Sequence, residues 1–301
     1  MKSNSGLAQK LNGDQFIVTA EYLPGATTQT SEAAGVVEEF GDRVAAINVA
    51  DNPYGVAMSS LAGALAVAGA GGEPIYQIVT RDRNRIAIQS DLLGAAALGI
   101  GNVLCLSGYH QVLTDCPESA NVYDIDSIQL LSLVNRMTEK GELLDGKAIE
   151  GEFGMLAGAA ANPGLQPMEL NMIRLAKKVQ AGAKFIQTQA TFDTDAFAQW
   201  LEAAAREALT DRTAILAGVL VLSSAEEAER LRDRFTDFAI GDDMVDRLKQ
   251  AGDVEAQARE GGAICADVIK RLMPMKGVRG VHLMAGGNVT LLNDILAAAG
   301  L

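Results

Sequence analysis

The sequence contains few of the residues that bind metals or form disulfides. Three of its 301 residues are cysteines and two are histidines. Cys105, Cys116 and Cys265 are far apart and form no Cys-x-x-Cys pair, and neither His110 nor His282 lies at metal-ligand spacing from other ligand residues. We therefore expect no metal site within this chain and a reducing compartment, the cytoplasm.

Long apolar runs and an excess of basic residues are also lacking. No stretch approaches the ~20 uninterrupted apolar residues of a membrane helix, and residues 1–13 lack the apolar core of a secretory signal. Acidic residues outnumber basic ones by 38 to 25, so the formal net charge is −13. Because nucleic acids and anionic membranes favour basic proteins, we expect neither as a partner.

The chain does contain a repeated alternation of short β-type runs and longer helix-type segments. Runs that are apolar almost throughout are typical of parallel strands buried on both faces. Eight successive βα units close into a barrel. The sequence therefore predicts an α/β fold, a (β/α)8 TIM barrel, with two extra helices, Asp242–Gln250 and Val254–Leu272, before the last strand. The β-type runs are Phe16–Glu21, Ala45–Val49, Ile75–Thr80, Val103–Leu106, Glu150–Leu156, Lys184–Gln189, Thr213–Leu222 and Gly280–Met284.

Two observations support one barrel rather than another arrangement of the same units. An open doubly wound sheet usually has a glycine-rich fingerprint after its first strand, whereas this chain has Ala20-Glu21-Tyr22-Leu23-Pro24 there. No linker rich in proline, serine or charge divides the chain, so we expect a single catalytic barrel over residues 1–301.

Polar residues at the carboxyl ends of the predicted strands are the candidate functional groups, because barrel enzymes carry their chemistry there. Glu21 follows apolar residues, and burial would raise its pKa and make it a general acid; the alternative is a rim residue paired with an arginine. Gln187 and Gln189 either bind a ligand or bond a neighbouring strand. Gly108 allows close approach of the backbone to a ligand. Lys178 alone would be read as part of a solvated helix face.

Two sets of short motifs lie along the chain. The first set is Glu21-Tyr22-Leu23-Pro24, Leu106-Ser107-Gly108 and Gln189…Phe192-Asp193, and in this order it resembles the methylenetetrahydrofolate reductase family. The second set is Asp51-Asn52-Pro53, Arg81-Asp82-Arg83-Asn84, Val122-Tyr123-Asp124-Ile125-Asp126 and Ala160-Ala161-Asn162-Pro163, and it is similar to the short reductases of anaerobic one-carbon metabolism. The resemblance extends from about Phe16 to the last helix and does not include the regulatory domain of animal members.

The resemblance implies a barrel that holds FAD at its mouth and reduces methylenetetrahydrofolate to methyltetrahydrofolate, or the reverse. NAD(P)H or a redox partner protein would supply electrons, and the chain could form a homo-oligomer or bind a separate electron-transfer subunit. Glu21 matches the glutamate that protonates N10 of the substrate. Gln189, Tyr109 and Asn288 fall at or near substrate-contacting positions. The positions carried over as flavin contacts are Ala50, Asp51, Gln77, Ser107, Gly108, Tyr109, Asp124, Gly158, Asn162, Asn171, Lys177 and Lys178.

The chain departs from the family at several of these positions. Tyr109 stands where the fourth-strand motif usually ends in aspartate, and Gln77, Gly158 and Asn162 replace His, Tyr and His of well-studied members. Two alternatives therefore stay open. One is a pterin- or flavin-binding subunit of a methyl-transfer assembly without reductase activity, and the other is a flavin-independent pterin enzyme.

Overall fold

Eight parallel strands form a closed barrel in chain order, with the last strand paired to the first. The structure is a computed structural model that describes residue 3 and residues 5–234, 238–285 and 289–301. The predicted (β/α)8 barrel is confirmed. The strands are β1 (Ile17–Tyr22), β2 (Ala46–Val49), β3 (Pro74–Val79), β4 (Asn102–Leu106), β5 (Leu156–Ala161), β6 (Phe185–Ala190), β7 (Ala214–Leu220) and β8 (Val278–Met284).

Helices surround the barrel and follow the strands in turn. The two extra helices before the last strand are present, as the sequence predicts. No helix in the described part of the chain combines the length and the apolar character needed to span a bilayer. The helices are α1 (Gly6–Asn12), α2 (Ser31–Phe40), α3 (Ser60–Gly69), α4 (Arg85–Ala97), α5 (Ser127–Lys140), α6 (Met168–Gln180), α7 (Thr194–Arg206), α8 (Ala225–Arg234), α9 (Asp242–Ala251), α10 (Val254–Leu272) and α11 (Leu292–Ala299).

The amino-terminal end of the barrel is filled with apolar side chains. Ile17, Ile75 and Phe185 pack together there, and Leu7 of α1 packs against this cluster. Each of these side chains is at most 1% exposed. Because this end is filled, a ligand can enter the barrel interior only from the carboxyl-terminal end.

The position predicted for the fifth strand is wrong. The sequence predicts a strand over Glu150–Leu156, whereas β5 is Leu156–Ala161, with the sequence LAGAAA. This strand lacks the β-branched and aromatic residues that normally mark strands. Its small residues have a tertiary reason, because a side chain at Gly158 would overlap the ring of Phe185. Tertiary packing rather than local propensity therefore selects this strand.

Candidate functional site

A pocket of about 360 Å³ opens at the carboxyl ends of the strands. This volume lies within the range of ~300–1,000 Å³ typical of small-molecule sites. Leu104, Leu106 and Leu220 give it apolar walls, to which polar side chains of several strands are added. The predicted site residues that the structure brings together in this pocket are Glu21, Asp51, Gln77, Ser107, Gly108, Tyr109 and Gln189.

Glu21 is the most perturbed carboxyl group of the pocket. It lies at the end of β1 and is half-buried. Burial raises the pKa of Glu21 from 4.5 to about 7, and a side-chain hydrogen bond with Gln77 opposes the shift. In the described part of the chain its polar partner is thus an amide rather than an arginine. A carboxyl group with this pKa can donate or accept a proton at neutral pH.

Gln189 and Tyr109 face each other in the same pocket. Gln189 Nε2 donates to the Tyr109 hydroxyl over 3.5 Å, and the Tyr109 side chain is 43% exposed. The Arg81 guanidinium donates to the Tyr109 carbonyl oxygen at 3.2 Å. Gly108 has φ +81°, and a Cβ there would lie 3.2 Å from Arg81 Cβ. Glycine thus permits the turn that brings the phenol to the pocket.

Asp51 lines the pocket but its carboxylate is already engaged. Both of its oxygens accept from Arg83, at 2.6 and 3.1 Å, and one also accepts from the Val79 backbone amide at 2.9 Å. Its side chain has no exposed surface. Through these contacts Asp51 holds the loops after β2 and β3 together. Its oxygens therefore have little remaining capacity to accept hydrogen bonds from a ligand.

A buried polar layer lies beneath Glu21. The amides of Asn48 and Gln187 exchange two hydrogen bonds, at 2.7 and 2.9 Å. His282 Nδ1 lies 3.1 Å from Thr19 Oγ1 and 3.3 Å from Gln187 Nε2. The four side chains are at most 5% exposed. Gln187 therefore hydrogen-bonds residues of neighbouring strands, which is one of the two alternatives that the sequence leaves open for it. Gln189 reaches the open part of the pocket.

Lys178 lies on α6, and its ammonium group reaches the end of β5, close to the pocket. Its ammonium group donates to the carbonyl oxygen of Ala160 at 2.6 Å, and Ala160 lines the pocket. Burial lowers the pKa of Lys178, and the positive charge of Arg174 lowers it further. Lys178 is therefore half-buried rather than part of the solvated face, and an anionic group beside it would stabilise its charge.

The other predicted site residues lie outside the lining of this pocket. Asp124 is exposed and paired with Arg85 at 2.8 Å, and hydrogen bonds with Arg85 lower the pKa of Asp124 to about 2. Asn171 Nδ2 donates to the carbonyl oxygen of Asn162 at 2.7 Å and so closes the loop after β5. Three further positions are distributed elsewhere: buried Ala50 after β2, Gly158 beside Phe185, and exposed Lys177 on α6. Asn288 lies outside the described residues.

Two pocket residues that the sequence does not predict come from outside the strand ends. Glu227 of α8 lines the pocket and accepts from the Ser223 backbone amide at 2.7 Å. Its own backbone amide donates to Ser224 Oγ at 3.1 Å, so in sequence it reads as an ordinary helix-capping residue. Tyr54, from the loop after β2, also lines the pocket, and burial and the charge of Glu21 raise its pKa.

Comparison with known proteins gives the chain its family. A search of curated protein sequences finds no match. An uncharacterized protein from Clostridium thermocellum, whose structure is described as binding two copies of 5-methyl-5,6,7,8-tetrahydrofolic acid, has a TM-score of 0.67 at 14% identity, over 98% of each chain. A putative deoxyribose-phosphate aldolase from Toxoplasma gondii ME49 has a TM-score of 0.51 at 13% identity, over 99% of this chain and 97% of the other.

At these identities the two solved structures show a shared fold alone. Among the described residues, no group of three or more His, Cys, Asp or Glu side chains is placed to hold a metal ion. The family model of methylenetetrahydrofolate reductase matches residues 6–300, nearly the whole chain. The chain therefore belongs to the methylenetetrahydrofolate reductase family.

Proposed function

We propose that this chain binds a reduced folate in the pocket and interconverts methylenetetrahydrofolate and methyltetrahydrofolate, with FAD as the hydride carrier. The observation that carries the proposal is Glu21, a pocket carboxyl group whose burial raises its pKa to about 7. Family membership supports the reaction, and the methyltetrahydrofolate bound by the Clostridium thermocellum protein supports the ligand class. We further propose that the barrel works as one catalytic domain in the cytoplasm, with NAD(P)H or a redox partner protein as electron donor.

The reaction needs a proton at a defined atom of the substrate. The five-membered ring of methylenetetrahydrofolate opens when N10 gains a proton and the N10–methylene bond breaks, which leaves an iminium at N5. Glu21 in its protonated form supplies this proton, and in the reverse direction its carboxylate removes it. Gln77 holds the Glu21 carboxyl group through the hydrogen bond between their side chains. The Gln189 amide, which lines the same pocket, would hydrogen-bond the pterin ring.

The residues present fit a flavin in two respects. Gln77, Ser107, Gly108 and Tyr109 lie together in the pocket and would hold the ring system. Lys178, a half-buried cation with a carbonyl partner, would hold the pyrophosphate. When bound, FAD supplies hydride transfer to or from the one-carbon unit.

Tyr109 favours a second candidate function. Its hydroxyl lies 3.5 Å from the Gln189 amide, so its ring occupies space beside the group that we assign to the pterin. A subunit that binds a pterin or a flavin within a methyl-transfer assembly, without reductase activity, would accommodate such a ring. The two candidates differ in hydride transfer and can be separated by experiment.

The deciding experiment is a spectrum of the purified protein followed by one half-reaction. We expect a yellow protein, and we expect anaerobically reduced flavin on the protein to be reoxidised when methylenetetrahydrofolate is added. Reduced flavin that stays reduced, in a protein that binds 5-methyltetrahydrofolate by calorimetry, would identify the binding subunit instead. A colourless protein that takes up no added FAD but converts methylenetetrahydrofolate with NAD(P)H would overturn the flavin part of the proposal.

A further inference from the structure

His282 is a buried histidine in the wall of the proposed ligand pocket. It lies on β8 and is 5% exposed, and its ring lines the same pocket as Glu21. In the barrel His282 pairs in register with Thr19 of β1. Because side chains of a strand alternate between its two faces, Glu21 lies on the same face as Thr19 and one layer nearer the mouth. His282 is therefore at the floor of the pocket, deeper than Glu21.

The surrounding side chains favour one of the two tautomers of the neutral ring. Gln187 Nε2 lies 3.3 Å from His282 Nδ1, and Thr19 Oγ1 lies 3.1 Å from it. Gln187 Nε2 donates to Asn48 Oδ1 at 2.9 Å and to Thr19 Oγ1 at 3.1 Å, so the Thr19 hydroxyl proton can turn toward His282 Nδ1. Because the amide N–H beside Nδ1 can only donate, these contacts favour an accepting Nδ1 and a proton on Nε2.

The ring is held in its neutral form by its surroundings. Burial lowers the pKa of His282 to about 3, so the imidazole carries no charge near neutral pH. The polar contacts described for this ring are made by Nδ1, toward Gln187 and Thr19. The pocket side of the ring therefore offers a neutral N–H donor whose direction is fixed.

We propose that His282 Nε2–H binds a carbonyl oxygen of a planar heterocyclic ligand at the floor of the pocket. The ligand class rests on the proposed function: the carbonyl belongs to the pterin ring of a reduced folate or to the isoalloxazine ring of a flavin. Leu104 and Leu106 line the cavity with apolar surface that suits a flat ring. A neutral donor selects an acceptor atom, because a ring N–H cannot accept a bond from an amino group. The ring end of the ligand thus enters first.

The two histidines of the chain make the proposal directly measurable. Protein labelled with [15N]histidine gives ring signals from His110 and His282 alone. The His110→Gln variant assigns them, because His110 is exposed in the loop after β4. We expect the His282 ring to show the Nε2–H tautomer throughout the neutral pH range. Addition of 5-methyltetrahydrofolate, or in a separate sample FAD, should shift its Nε2 resonance.

The outcomes distinguish the pterin ring from the flavin ring as the source of the carbonyl oxygen. They also distinguish failure of this inference from failure of the proposed function. A shift with 5-methyltetrahydrofolate identifies the pterin carbonyl, and a shift with FAD identifies the flavin ring. Calorimetric binding of both compounds with no change at His282 Nε2 overturns this inference and leaves the proposed function intact. If neither compound binds the wild-type chain, both proposals are overturned. An Nδ1–H tautomer overturns the inference alone.

Substitutions give an independent test of the same hydrogen bond. His282→Leu removes the donor, and we expect affinity for the compound that shifts the resonance to fall about tenfold, the usual effect of one buried hydrogen bond. His282→Gln retains an N–H group and should recover part of this loss. Thr19→Val removes a contact of Nδ1 and of Gln187 Nε2 but keeps the Nε2 donor, so affinity should fall less than in the Leu variant. Equal affinity of the Leu variant and the wild type would contradict the proposal, and if that variant does not fold, the wild-type resonance decides.

Discussion

Glu21 and Gln77 are hydrogen-bonded to each other inside the pocket, although β2 lies between their strands in the barrel. The amide stabilises the carboxylate form and so lowers the Glu21 pKa, while burial raises it by a larger amount. The resulting pKa of about 7 is suitable for proton transfer in either direction at neutral pH. Gln77 therefore tunes the acid as well as holding it.

The first prediction concerns the role of Glu21 as proton donor. Glu21→Gln retains the shape of the side chain and removes the proton, so reduction of methylenetetrahydrofolate should slow by ~10²-fold or more. Reduction of the flavin by its donor should continue. Stopped-flow measurement of the two half-reactions checks this, with Glu38→Gln on the exposed face of α2 as the matched control. Equal losses in both half-reactions would indicate damaged flavin binding instead.

The second prediction follows from the direction of the Glu21 pKa shift. The folded-state pKa of about 7 exceeds the unfolded value of 4.5, so between these pH values the unfolded chain binds fewer protons and the wild type loses stability as pH rises. Glu21→Gln does not ionise. Its free energy of unfolding should match that of the wild type below pH 4.5 and exceed it by roughly 1–3 kcal/mol above pH 7.

Urea denaturation at one pH below this window and one above it measures the difference. A variant that is less stable than the wild type at both pH values would show that the carboxylate is not strained by burial. Greater stability together with lower activity is the behaviour expected of a group retained for catalysis.

The fold could be predicted from sequence because its determinants are repetitive. Eight apolar runs with helical segments between them define a barrel, and chemistry at the carboxyl ends of the strands follows from that topology. Glu21 and Gln189 lie in one pocket for this reason. Their functional roles stay predictions. The predicted position of the fifth strand is wrong because LAGAAA has no local strand pattern. Its small residues leave room for the Phe185 ring, which fills the space beside Gly158.

Two features of the site depend on contacts that no local pattern reveals. In sequence His282 is a polar residue in a mostly apolar strand, and its role depends on Thr19 and Gln187 from other strands. Glu227 has the spacing of a helix-capping residue, and only the position of α8 brings it to the pocket. Long-range geometry, not residue type, decides both cases.

The third prediction concerns Gln189 as a ligand-binding amide. Gln189→Ala removes a group that reaches the open part of the pocket, and one lost buried hydrogen bond costs about 1–3 kcal/mol. Affinity for 5-methyltetrahydrofolate should fall accordingly while the unfolding temperature changes little. Calorimetry and thermal unfolding measure the two effects, with Gln180→Ala at the exposed end of α6 as control. Unchanged affinity with a large loss of thermal stability would assign Gln189 a structural role.

The last prediction concerns Tyr109, where the chain departs from its family. In one interpretation the phenol stacks on the pterin and removes negative charge from beside the flavin. In the other it fills the pocket and marks a subunit without reductase activity. Tyr109→Asp separates them, because it restores a carboxylate and removes the ring. Tyr109→Phe is the matched control, since it keeps the ring and removes the hydroxyl group that contacts Gln189.

If Tyr109 tunes a working site, the restored charge should make the flavin harder to reduce. A solvent-screened charge nearby contributes about 1 kcal/mol, which corresponds to roughly 20 mV for a two-electron couple. If Tyr109 blocks the pocket, the Asp variant should gain folate binding or activity while the midpoint potential stays nearly constant. Redox titration and calorimetry on both variants distinguish the two results. A change in neither quantity would mean that Tyr109 does not contact the ligand, despite its position beside Gln189.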